Sequence, residues 1–227
     1  MSSSRSRYAA ETRLRAALSW RIAVAWRSSG TSATSRRGYS PKQATLQTAY
    51  EDVVQLFGKS RRIFCPMISG GGARELFTKD PALKQDPRFQ LYPQWIQRQV
   101  AAQPVATQAG GGGDPRGGSG KMVVDIMKAG GLVVTGTDTP NGINLHGELM
   151  AYTMAGMSTF DALKAATVNP AIALGFDGGT IEPGKLADLI AIDGDPIADI
   201  SSTYKVRKVV ANGRAYDVAE LVGRQQE

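Results

Sequence analysis

Residues 122–136, MVVDIMKAGGLVVTG, constrain the fold more than any other stretch. MVVDIMKA has helical spacing, and Gly130 or Gly131 behind it supplies the left-handed residue on which helices commonly stop. LVVTG is then a short apolar strand without alternation, the pattern of a strand covered on both faces. A helix leading into such a strand is the rhythm of a parallel α/β architecture. The strand opens onto a polar turn, Thr137 to Asn141, so Asp138 is expected at its C-terminal end.

The flanking sequence follows local rules. Ser158 and Asp161 form an acidic variant of the capping box in front of FDALKAAT. Asn169 and Pro170 read as the cap and first residue of a second short helix that stops at Gly175. GTIEPGKLADLIAID reads as strands joined by a Pro183–Gly184 turn. VRKVVANGRAYD reads as a hairpin with Asn212–Gly213 as its type I′ turn. Upstream, TLQTAYEDVVQLF reads as a short helix and RRIFCPMIS as a buried strand. The stretch from there to Gln103 alternates proline-containing turns with helical pieces, the last starting at Pro93.

GGGGDPRGGSGK (110–121) is a glycine-rich connector and reads as a loop. A Walker A phosphate loop needs glycine where Pro115 stands, and Ser or Thr where Met122 follows the lysine. Cys65 is the only cysteine, which excludes an intrachain disulfide and cysteine-rich zinc motifs. No apolar run approaches the roughly 20 residues that span a bilayer. The net charge of +7 arises in residues 1–50, which carry +8 from nine basic side chains against Glu11 alone. The remaining 18 basic and 19 acidic groups nearly cancel. Nucleic-acid binding needs a basic face on a folded module, so it is not expected. YAAETRLRAALSWRIAVAW within the arm can form an amphipathic helix, which fits either a transit peptide or a disordered or non-native leader.

In a parallel barrel, side chains at the C-terminal strand ends converge on one mouth where catalysis is placed. An aspartate there can ligate a divalent metal or accept a proton from water; it can equally cap the next helix. His146 is the only histidine, and on spacing alone it reads as structural.

The order of motifs resembles the C-terminal portion of the amidohydrolase superfamily, nearest to imidazolonepropionase-like and prolidase-like members. The carriers are Gly136–Thr137–Asp138, His146, Glu148–Leu149, Ala162–Leu163, Ala165–Ala166–Thr167, Asn169–Pro170, Ala173–Leu174–Gly175 and Gly184–Lys185–Leu186–Ala187–Asp188–Leu189. The resemblance implies an α/β fold: the incomplete C-terminal part of a (β/α)₈ barrel followed by a small β-sandwich portion. It implies metal-dependent hydrolysis of C–N bonds, amide or cyclic amide, in a small-molecule substrate. Asp138 would be metal ligand and general base, with Asn141, Asn144 and His146 lining the substrate pocket. The metal would be divalent, commonly zinc.

The family pattern also carries a His-x-His pair and two later histidines, none of which has a counterpart here. Asp138 is therefore the one ligand visible in this chain. The resulting expectation is little or no activity for the chain alone, with a second chain or an oligomer completing the barrel. The alternative is a non-catalytic truncated remnant or interaction module without metal. The expected organisation is a basic arm at 1–50, a partial barrel segment at 51–176 with its glycine-rich loop at 110–120, a small β unit at 177–217, and a tail at 218–227.

Overall fold

The computed structural model describes residues 51–60, 62–69, 72–102, 115–139 and 141–224. The basic arm and residues 110–114 of the connector lie outside them. In chain order the elements are α1 (Glu51–Lys59), β1 (Ile63–Phe64), α2 (Arg74–Lys79), α3 (Gln94–Ala102), α4 (Gly118–Lys128), β2 (Leu132–Val133) and α5 (Ile143–Met154). They continue with α6 (Thr159–Ala166), α7 (Val168–Leu174), β3 (Leu189–Ile192), β4 (Val206–Ala211), β5 (Arg214–Asp217) and α8 (Val218–Gly223). Short 3₁₀ turns occupy Pro81–Gln85, Pro87–Leu91 and Ile200–Tyr204. The chain is mixed α/β.

β1 and β2 pair in parallel, Ile63 opposite Leu132 and Phe64 opposite Val133. The ladder is short for a visible reason. Val134 N–H still donates to Phe64 O at 2.9 Å, but Thr135 N–H turns to Ala165 O of α6 at 2.8 Å. Both strands end against helix, and the core gathers around them from Phe57, Leu76, Phe77, Val100, Ile126, Val133, Leu149 and Tyr152. α5 lies deepest. Gly147 through Tyr152 are all buried along it, so it is a central helix rather than an amphipathic surface one.

Local chemistry explains most boundaries. Asp80 and Asp86 each precede a proline, and their carboxylates accept the N–H of Ala82 and Arg88 to open the two 3₁₀ turns. Ser158 Oγ accepts the Asp161 N–H at 3.0 Å and donates to Asp161 Oδ2 at 2.8 Å. α7 stops at Gly175 in the left-handed region, φ 68°. Asn212 and Gly213 both have positive φ, 49° and 75°, as a type I′ turn requires.

Three sequence expectations are corrected. The connector is not a loop throughout, because α4 already starts at Gly118. Gly120 is glycine because a Cβ there would run into Pro115 O and the Ala155 side chain. GTIEPGKLADLIAID holds one strand, β3, because Leu186 N–H folds back to Asp177 O at 2.8 Å. Asn169 does not cap its helix, which begins at Val168 after Thr167. Its Nδ2 instead donates to Val133 O at 2.7 Å, fastening α7 to β2. Asn169→Ala is expected to strand that buried carbonyl and cost about 1–3 kcal/mol, read as a lower urea midpoint with unchanged slope.

β3, β4 and β5 form a three-stranded antiparallel sheet with an irregularity between Ala191 and Ile192. The buried turn Ile200–Tyr204 packs on α5. Lys79 Nζ reaches Asp199 Oδ2 and Ser201 Oγ, each at 2.7 Å, and Tyr204 O–H donates to Asp80 Oδ2 at 3.1 Å. Residues 218–223, expected as tail, form α8.

Candidate functional site

Because β1 and β2 run parallel, the segments that leave them, from Cys65 and from Val134, emerge on the same side of the pair. Asp138 stands in the second segment, exposed and at φ 54°. Few residues other than glycine adopt that left-handed conformation, and Asp and Asn do so most readily. Around it Thr137 Oγ1 donates to Thr139 O at 2.9 Å, and Asn144 Nδ2 donates to Thr139 Oγ1 at 2.8 Å. Asn141 Oδ1 accepts the Ile143 N–H at 3.2 Å and so opens α5. Asn141 is 2% exposed, and its Nδ2 has no partner among the described residues. A buried donor left unsatisfied is costly, so this one is available to an acceptor.

His146 lies one turn into α5, on the face that meets residues 200–204. Its Nδ1 is 3.1 Å from Thr203 Oγ1, whose own proton goes to Ile200 O at 2.8 Å. Nδ1 must therefore be the donor. Burial, with the Arg88 guanidinium as a smaller cause, pushes His146 down to about 4, so the ring is neutral near pH 7.

Glu148 is legible in the sequence only as one carrier of the family resemblance, yet it is the most deeply placed carboxylate in this region, 0% exposed. Its Oε1 accepts the Ile68 N–H at 2.7 Å and its Oε2 the Ser69 N–H at 2.9 Å. Burial drives it up to about 7, against the pull of these donors, with Glu75 adding a smaller upward push. The signal in the sequence was an acid set directly against Leu149, Met150, Ala151 and Tyr152. Cys65 is raised to about 11, first by burial and then by the charges of Glu148 and Asp138. It is a thiol at neutral pH and not a nucleophile.

Among the described residues no three His, Cys, Asp or Glu side chains lie close enough to hold a metal ion. A catalytic zinc site takes about three protein ligands. The donors described here do not fit a complete divalent-metal site.

The sequence profile of the amidohydrolase family matches residues 120–216, from α4 through β5. Residues 120–216 are thus similar to the amidohydrolase family. Adenine deaminase from Methanosphaera stadtmanae is 41% identical over 58 residues, 26% of this chain and 10% of that protein. The 5-methylthioadenosine/S-adenosylhomocysteine deaminase of Acetivibrio thermocellus is 38% identical over 122 residues, 46% of this chain and 28% of that one. Among solved structures, a Xaa-Pro dipeptidase with methionine bound in its active site superposes with a TM-score of 0.50 and 25% identity. That match covers 77% of this chain and 41% of the dipeptidase. The chain thus spans under half the length of each of these relatives.

Proposed function

We propose that this chain forms the last-strand wall of an amidohydrolase active site that hydrolyses C–N bonds, amide or cyclic amide, in a small molecule. The observation that carries the reading is Asp138, exposed past β2 in a segment of the family, with the spare Asn141 donor three residues on. Deaminase and dipeptidase, the names its relatives carry, both denote breaking a C–N bond. On this reading β1 and β2 are neighbouring strands of a partial (β/α)₈ barrel, and β3–β5 are part of a small sandwich.

Asp138 is the general base. It takes a proton from the water that attacks the carbonyl-type carbon and passes it to the departing nitrogen, the exchange expected of a carboxylate at a barrel mouth. Asn141 Nδ2 donates to a substrate oxygen, and Asn144 and His146 complete the pocket wall, His146 as a neutral ring. One aspartate cannot hold the divalent ion, commonly zinc, found in the family. Its remaining ligands would come from outside the described residues, by way of a second chain or a longer product.

The test pairs elemental analysis with a panel of amide and cyclic-amide substrates, on the wild type and Asp138→Asn. The expected result is a loss of about 10²-fold or more in kcat/KM, the lower range for removing a general base. Measurable hydrolysis at equal rates in both proteins would remove Asp138 from the chemistry, and no hydrolysis by a wild type shown to carry metal would remove the hydrolytic reading. A second reading, a non-catalytic interaction module, draws on the β unit, where Ile181, Leu186 and Ile190 are 86%, 52% and 59% exposed. Exposed apolar clusters mark contact surfaces. Concentration-dependent association without hydrolysis would favour it.

A further inference from the structure

Two side chains tie α5 to the segment that follows β1 through three hydrogen bonds. Glu148 accepts two consecutive amides, Ile68 and Ser69, at 2.7 and 2.9 Å. One turn further along the same face, Tyr152 O–H donates to Pro66 O at 3.1 Å. α5 begins five residues after Asp138, so it carries the Asp138 loop at one end and grips the opposite loop along its length. The two loops also touch directly, since a Cβ on Gly136 would run into Cys65 Sγ.

Packing alone does not call for a carboxylate here. An ionised group in an apolar interior is costly unless fully hydrogen-bonded, and a Gln or Met of similar volume would fill the space. What the carboxylate uniquely offers is two acceptor oxygens for two adjacent N–H groups that the β1–β2 ladder does not reach. Both donors are backbone, so the contact fixes main chain rather than a side-chain rotamer.

We propose that Glu148 is a positioning residue of this active site, holding the backbone of residues 66–69 against the Asp138 loop so that the two sides of the mouth keep one spacing. The proposal rests on the hydrolytic reading given above. It names a residue that never touches substrate and acts only through the loop it grips.

The test uses the full chain by NMR and needs no variant at first. The two amide resonances of Ile68 and Ser69 are expected to titrate together with a midpoint near pH 7. Thr137 and Thr139, across the mouth, are expected to follow with the same midpoint. The other titratable groups facing Glu148 are Glu75 of α2, Cys65 and Tyr152, and Asp138 acts on Cys65 from the other side. Cys65 and Tyr152 stay protonated throughout this range, so Asp138→Asn is the control that must leave the midpoint in place, while Glu75→Gln, which removes the smaller upward push, should lower it slightly.

In Glu148→Gln, amide exchange at Ile68 and Ser69 is expected to speed at least tenfold while α4 and β4 are unchanged. Glu148→Asp, which keeps the charge at shorter reach, should recover part of that protection. Thr137 and Thr139 resonances that ignore Glu148 in every variant would overturn the proposal, because the grip would then end at its own loop. Failure to hydrolyse any C–N substrate while these resonances respond would remove the hydrolytic reading and leave the grip standing. Hydrolysis lost in Asp138→Asn but retained with unchanged kcat and KM in Glu148→Gln would do the reverse.

Discussion

Between pH 4.5 and 6.5 the wild-type stability profile should be nearly flat, and a single substitution at Glu148 or His146 should tilt it in opposite directions. Glu148 is raised from 4.5 to about 7. In that interval the folded chain keeps a proton that the unfolded chain has lost, so stability is greatest below 4.5 and falls as pH rises toward 7. His146 is lowered from 6.5 to about 4. There the unfolded chain binds a proton that the folded one refuses, so stability is greatest above 6.5 and falls as pH drops toward 4. Each group alone is worth about 3 kcal/mol across its range. Where the ranges overlap, one proton gained offsets one lost.

Glu148→Gln removes the first titration. Its urea midpoint should then rise with pH from 4 to 6.5 and level off. His146→Asn keeps a donor toward Thr203 and removes the second titration, so its midpoint should fall from pH 4.5 to 7. The double variant should be flat again. Asp199, held down to about 2 chiefly by its bond from Lys79, titrates below this window and leaves it undisturbed. The slopes are the observable here. The absolute level of Glu148→Gln also carries the mismatch of an amide N–H₂ against a backbone N–H, a cost of about 1–3 kcal/mol that is the same at every pH. Parallel profiles in all four proteins would mean that neither group is held away from its ordinary value.

What could be read from the sequence was whatever is decided within a few residues. Ser158 meets its amide three positions on, Gly175 ends its helix by its own conformation, and Asn212–Gly213 turns the hairpin with no help from the rest of the chain. Asp138 could be placed at a strand end because the apolar run before it is short and sharply bounded. The pairing of Phe64 with Val133 could not be read, since a parallel ladder between segments so far apart leaves no local signal. The same holds for side chains whose partners are tertiary. Asn169 looked like a cap because its residue type favours caps, but the unsatisfied carbonyl at Val133 claimed it. Glu148 stands only two residues from His146, yet the two leave α5 toward different partners, Thr203 for one and the Ile68–Ser69 backbone for the other. Alternation in GTIEPGKLADLIAID suggested two strands, and a single backbone bond between Leu186 and Asp177 was enough to make the first half a loop.

Between those two divergent side chains sits Gly147, and Gly147→Ala should clearly destabilise the chain. Helix propensity alone predicts the opposite, because alanine in a helix interior is favoured over glycine by about 1 kcal/mol. The gain is overridden by what lies opposite. A Cβ at position 147 would stand 2.5 Å from Gly72 O and 2.6 Å from Ala73 Cα. Both are backbone atoms, so no rotamer change relieves the clash, and α5 must move away from the loop that leads into α2. Ala73 is itself 0% exposed, so that loop has no empty space to retreat into. Overpacking of this kind costs about 1–3 kcal/mol, and the upper end is expected because two backbone contacts are violated together. The same displacement would pull Glu148, the next residue, off the Ile68 and Ser69 amides. Gly147→Ala should therefore lower the urea midpoint and also speed exchange at those two amides. Gly223→Ala, where an added Cβ meets nothing, should leave both unchanged. If Gly147→Ala raised stability as propensity predicts, α5 would not be seated against residues 72–73, and the spacing of the mouth would have to be set elsewhere.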